Sequence, residues 1–152
     1  MRLKLLLVSV LVAGSGCAQS SDVAIIVHKD VPVDNLSFGE VRKVFRSDRQ
    51  YWNSNLRVTL LVRAPAARER DVVLRKIYDM SEAQYRQYWI AKIFRAEATA
   101  GPKTVYSNDM TSELVTGIPG AISFVDAARI PAGCKVLKID GLKPGEKGYP
   151  LR

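Results

Sequence analysis

The chain has 152 residues, 47% of them hydrophobic, and its 23 Lys and Arg outweigh 15 Asp and Glu to give a formal net charge of +8. That length supports a single core but not two full lobes, and one histidine with two cysteines leaves no CxxC zinc spacing and no multi-histidine centre. The basic excess is dispersed and accompanied by no nucleic-acid motif, which argues against nucleic acid and for an anionic ligand or anionic envelope components.

Residues 1–18 read as a secretory signal peptide: Arg2 and Lys4, an uncharged run from Leu5 to Val12, then small residues through Cys17 and Ala18. The run falls far short of the roughly 20 apolar residues of a spanning helix, and nothing later is comparably apolar. Two processing routes stay open. Gly14-Ser15-Gly16-Cys17 resembles a degenerate lipoprotein box that would lipidate Cys17, whereas Gly16-Cys17-Ala18 also suits ordinary signal peptidase. Either route removes or occupies Cys17, so Cys134 is read as an unpaired, half-buried small residue beside a strand. The expected location is the periplasm or cell envelope, with membrane contact only through such an anchor.

Residues 22–141 carry alternating strand and helix signals. The β-branched run Val23 to Val27 predicts a buried strand ending at His28-Lys29-Asp30. Ser37 three residues before Glu40 is a capping box for a helix that presents Leu36, Val41, Val44 and Phe45 and ends near Arg46 to Asp48. Tyr51-Trp52-Asn53 reads as a polar connection, Arg57 to Val62 as a second strand closed by Pro65, and the stretch from Ala66 as a helix with Val73, Leu74 and Ile77 inward and a charged outer face. Ser81 and Gln84 cap a further helix whose aromatic row Tyr85, Tyr88, Trp89 and Phe94, with Ile93, is assigned to core packing rather than to a ligand platform. Gly101-Pro102 stops it. An extended piece at Thr104 to Tyr106, a helix from Ser107 or Asn108 to Gly117, and strands at Ala121 to Val125 and Lys135 to Ile139 follow. Residues 142–152 read as a polar, loosely held tail. The alternation predicts an α/β domain with a mixed or parallel sheet flanked by helices.

The search for chemistry is mostly negative. His28 stands alone without a GxSxG elbow, and reads as a strand-end histidine making a surface hydrogen bond. No metal or cofactor is implied. Asp30, Asp34, Glu40, Glu69, Asp71 and Glu113 read mainly as caps and solvated helix faces, although a hydrolytic pair among them stays open. The most suggestive place is the strand-to-helix junction at Arg63, where free amides and Arg68 would attract an oxyanion, with Glu69 in the first helical turn opposing it.

Four stretches together resemble the phosphate-binding proteins of ABC transporters, within the type 2 periplasmic-binding superfamily. They are Val-Ala-Ile-Ile-Val-His-Lys-Asp-Val-Pro-Val from Val23; Leu-Ser-Phe-Gly-Glu-Val-Arg-Lys-Val-Phe from Leu36 with Tyr51-Trp52-Asn53; Val-Thr-Leu-Leu-Val-Arg-Ala-Pro from Val58; and Gly-Ile-Pro-Gly-Ala-Ile-Ser-Phe-Val from Gly117. The resemblance implies a single binding-protein lobe. In that family an Arg at the end of the second strand precedes a Ser-Gly-Thr step that holds phosphate; Arg63 matches the Arg, while Ala67, Arg68 and Glu69 occupy the step and remove its hydroxyl donors.

The expected function is therefore that of an exported, non-catalytic, solute-binding-like protein, with Arg63, Arg68 and backbone near Gly120 cradling a small oxyanion such as phosphate. The alternatives are an envelope accessory or sensory module that binds a protein partner or a second copy of itself, and an envelope hydrolase using carboxylates.

Overall fold

The computed structural model describes residues 21–152; the expected signal peptide and Cys17 lie outside them. The chain order is β1 (Val23–Val27), β2 (Asn35–Leu36), α1 (Phe38–Phe45), β3 (Tyr51–Asn53), β4 (Leu56–Arg57), β5 (Thr59–Arg63), α2 (Arg68–Val73), a π-helical turn (Leu74–Tyr78), α3 (Glu82–Phe94), β6 (Lys103–Val105), α4 (Asn108–Gly117), β7 (Ala121–Asp126), a 3₁₀ turn (Ala127–Arg129), β8 (Lys135–Val136) and β9 (Lys138–Ile139).

Five strands form one sheet in the order β6-β5-β7-β1-β8. The sheet is mixed, since β5 runs parallel to β6 and β7 while β1 runs antiparallel to β7 and β8. Every residue of β1 is buried because both sheet faces are covered. Alternate residues Val23, Ile25 and Val27 enter a large cluster with Phe45, Tyr78 and Trp89, while Ala24 and Ile26 enter a smaller one with Leu61, Val105 and Val115 of α4. Both capping boxes form as the sequence indicates: Ser37 with Glu40 opens α1, and Ser81 with Gln84 opens α3.

Several expectations are corrected. Tyr51–Asn53 is not merely a polar connection but β3, paired with β4 in a hairpin, so the second strand of the sheet begins at Thr59 rather than Arg57. Trp52 explains the hairpin: its indole is 5% exposed and Nε1–H donates to the Gly120 carbonyl at 2.8 Å. Lys135–Ile139 is two strands, β8 on the main sheet and β9 parallel to β2, because Leu137 between them is fully buried in the core.

The 142–152 tail is not loose. Leu151 is fully buried and its carbonyl accepts from the Val23 amide at 2.9 Å, while the Tyr149 hydroxyl donates to the Val23 carbonyl at 2.7 Å. Asp22 adds an ion pair to Arg152 at 3.2 Å and accepts from the Gly145 amide at 2.6 Å. The tail thus closes over the start of β1. Finally, Phe94 is 91% exposed and Ile93 42%, so neither packs in the core. Phe94 is nine residues beyond Tyr85, which at about 100° per residue puts it half a turn round the helix from the buried stripe; Lys92 continues that stripe, its ammonium reaching Asp48 at 2.5 Å.

Candidate functional site at the carboxyl ends of the strands

Because β5, β6 and β7 are parallel, their carboxyl ends lie along one edge, where open α/β sheets receive ligands. Arg63 ends β5 level with Val105 of β6, and the Ala64 amide donates to the Val105 carbonyl at 2.9 Å, holding the two strands together to their last residues. Arg63 Nη1 donates to the Asn108 amide oxygen at 2.5 Å, at the first residue of α4, and its Nε is buried without a partner among the described residues. Ser107 caps α4 by accepting from the Met110 amide at 3.0 Å. This places a fixed guanidinium beside a helix start, a combination that attracts oxyanions.

The other predicted members do not join it. Arg68 turns away to the Ser21 carbonyl at 2.8 Å and the Asp126 carboxylate at 3.4 Å. Gly120 lies at the opposite end of the sheet: its carbonyl accepts from the Thr59 amide at 3.1 Å, four residues before Arg63 and so about 13 Å away along the strand. Its role is structural, since at φ +81° a side chain would collide with the Arg57 carbonyl. The Gly120 amide and carbonyl therefore cannot complete a cradle around Arg63.

Ala67 occupies the N-cap of α2 in extended backbone but offers no side-chain oxygen, and Glu69 follows in the first turn. Neither Ala67 nor Glu69 carries a hydroxyl donor.

One residue here escaped sequence reasoning. Arg70 is 5% exposed and joins three elements: Nη1 donates to the Arg63 carbonyl at 2.7 Å, and Nε and Nη2 donate to the two Glu82 oxygens at 2.6 and 2.8 Å. Its guanidinium also lies 4.8 Å from the Tyr85 ring centroid. Read as one of several charges on an outer helix face, it gave no signal beyond its spacing seven residues after Arg63.

Four other candidates are engaged elsewhere in the fold. His28 is buried rather than on the surface, at 5% exposure, and Nδ1 accepts from the Asp30 amide at 3.1 Å. Glu40 accepts from the Ser37 amide, which lowers its pKa, and Asp34 is lowered by its hydrogen bond and charge pairing with Lys135. Cys134 donates to the Pro131 carbonyl at 3.0 Å, and burial raises its thiol pKa, the opposite of what a reactive thiolate needs. Among the described residues no group of three His, Cys, Asp or Glu could hold a metal, and no helix is long and apolar enough to cross a membrane.

Comparison with solved structures decides the architecture. A protein assigned as a phosphate ABC transporter substrate-binding protein, with bound phosphate, from Clostridium perfringens superimposes at TM-score 0.69 and 16% identity over 86% of this chain and 52% of its own. An ABC-type phosphate transport receptor from Vibrio cholerae gives 0.64 and 16% over 82% of this chain and 48% of its own, and PstS from Borrelia burgdorferi 0.67 and 13% over 86% and 54%. The fold is that of one phosphate-binding-protein lobe. The chain spans about half the length of these proteins, and at such identities the likeness is one of fold. No family model and no curated protein matches the chain. Within this lobe, Arg63 is the last residue of β5.

Proposed function

We propose that this chain is an exported, non-catalytic, solute-binding-like protein that takes a small oxyanion such as phosphate at Arg63. The observation that carries the reading is the Arg63–Asn108 contact at 2.5 Å, which fixes a guanidinium at the carboxyl end of β5 against the start of α4. Its Nη2 group makes no hydrogen bond among the described residues, which leaves donors for a ligand. Support also comes from the phosphate-binding proteins that share the fold and from the lowered pKa values of Asp34 and Glu40, which favour ionised, hydrogen-bonded carboxylates over a raised general acid. With Ala67 and Glu69 replacing hydroxyl donors, binding is weaker than a full Ser-Gly-Thr step would give.

Thermal unfolding tests this directly. A ligand that binds only the native state raises the midpoint as its concentration rises, so phosphate is expected to stabilise the protein above an equal ionic strength of chloride, and Arg63→Ala is expected to reduce the difference. Equal midpoints in phosphate and chloride for the unaltered protein would refute the reading.

A second reading, an envelope protein-interaction module, is favoured by α3, where Ile90, Ile93 and Phe94 are 60%, 42% and 91% exposed on neighbouring helical positions. A photo-crosslinker at position 94 that captures one discrete envelope protein in cells would support it; crosslinks absent or spread over many species would not.

A further inference from the structure

A basic cleft lies at the opposite end of the sheet from Arg63. There the β3–β4 hairpin, the turn after α1 and the segment after α3 enclose a cleft of about 180 Å³, lined by Ser47, Arg49, Arg57, Thr59, Thr99 and Lys103 among others, with no carboxylate in its wall. None of its three cations is in an ion pair among the described residues. A cleft of one charge sign concentrates counter-ions, and clustered cations without a carboxylate are relieved by binding one.

The walls are fixed by the fold rather than by the cations. Trp52 ties the hairpin to Gly120, the Val58 amide donates to the Gln50 carbonyl at 2.9 Å, and Gln50 Nε2 donates to the carbonyls of Ser47 and Glu97 at 3.1 and 2.8 Å. Arg57 Nη2 reaches Thr99 Oγ1 at 3.3 Å, spanning from the hairpin to the segment after α3. Arg49 lies 5.5 Å from the Trp52 ring centroid and spends Nε and Nη2 on the carbonyls of Tyr51 and Trp52, leaving Nη1 uncommitted. The volume is below the roughly 300–1,000 Å³ of small-molecule pockets and suits a single tetrahedral oxyanion group. From this geometry we propose that the cleft binds a phosphate group, free or as the headgroup of an anionic lipid, independently of Arg63.

Backbone amide shifts of the ¹⁵N-labelled protein, titrated with inorganic phosphate against chloride at matched ionic strength, test it. A parallel arm measures co-sedimentation with phosphatidylglycerol vesicles. The expected result is saturable movement of the amides of Thr59, Thr99, Gly101 and Lys103 with free phosphate, or vesicle binding if the group is a headgroup. Either signal should weaken about tenfold or more in Arg57→Ala/Lys103→Ala and persist in Arg63→Ala. Both altered side chains are exposed, so the variant should keep its fold, which its amide spectrum verifies. No saturable shift at these amides together with no vesicle binding, or a signal lost in Arg63→Ala, would overturn the proposal. Shifts confined to Arg63, Ser107 and Asn108 would overturn it while leaving the site on β5 intact.

Discussion

Arg70 grips both carboxylate oxygens of Glu82, Nε to Oε1 at 2.6 Å and Nη2 to Oε2 at 2.8 Å. Through Nη1 on the Arg63 carbonyl the same guanidinium ties the end of β5 to the first turn of α3. Arg70 is thus a positioning residue: it fixes the backbone that carries Arg63. Breaking a fully buried pair costs roughly 3–5 kcal/mol, but the Glu82 side chain is 37% exposed and recovers water. Arg70→Ala is therefore expected to lower unfolding free energy by about 2 kcal/mol in urea titration, and Arg70→Lys, which lacks the two-pronged geometry, to recover only part of it.

The pair also sets a pH dependence. The hydrogen bond from Arg70 holds the Glu82 carboxyl below the usual carboxylate range. A carboxylate depressed in the folded state contributes stability above its unfolded pKa and loses it as pH falls through the folded value. The stability gap between the unaltered protein and Glu82→Gln should therefore be constant from neutrality down to about pH 5 and close below that. Urea midpoints across that range check it, and a gap that widens on acidification would contradict it.

The tail gives a third expectation. Leu151 is fully buried against the β1 side of the core, and truncating such a side chain costs about 2–5 kcal/mol. Leu151→Ala should lose a comparable amount in equilibrium unfolding, and a chain ending at Gly141 should lose cooperative unfolding by circular dichroism. A truncated chain as stable as the whole would refute the assignment.

On α3 the structure separates two aromatics that look alike in sequence. Trp89 is 6% exposed and in edge contact with Tyr85 and Tyr88, whereas Phe94 is 91% exposed. Trp89→Ala should cost about 3–5 kcal/mol, and Phe94→Ser should stay within about 0.5 kcal/mol of the unaltered protein, both read by urea unfolding.

These residues also show which parts of the fold are legible in a single sequence. Ser37 with Glu40 and Ser81 with Gln84 are local signals, and both capping boxes form. The run from Val23 to Val27 is apolar throughout, and β1 has exactly those bounds. The errors concern partners distant in the chain. Nothing near Trp52 announces a bond to Gly120, 68 residues away, and nothing in the Gly- and Pro-containing tail announces that Tyr149 will meet Val23, 126 residues away. The site divides in the same way. Arg63 was visible from its place at a strand end, but which arginine would face it depended on side-chain direction. Arg68 leaves for Asp126 and Arg70 turns inward, and only the packed structure distinguishes them.

The proposed function stands or falls with an oxyanion site at Arg63. Calorimetric titration of the purified protein with phosphate at low salt, beside Arg63→Ala and Arg57→Ala, tests it most directly. Saturable heat is expected, with a component lost in Arg63→Ala and retained in Arg57→Ala. Heat identical in the unaltered protein and Arg63→Ala, or no heat at all, would contradict it.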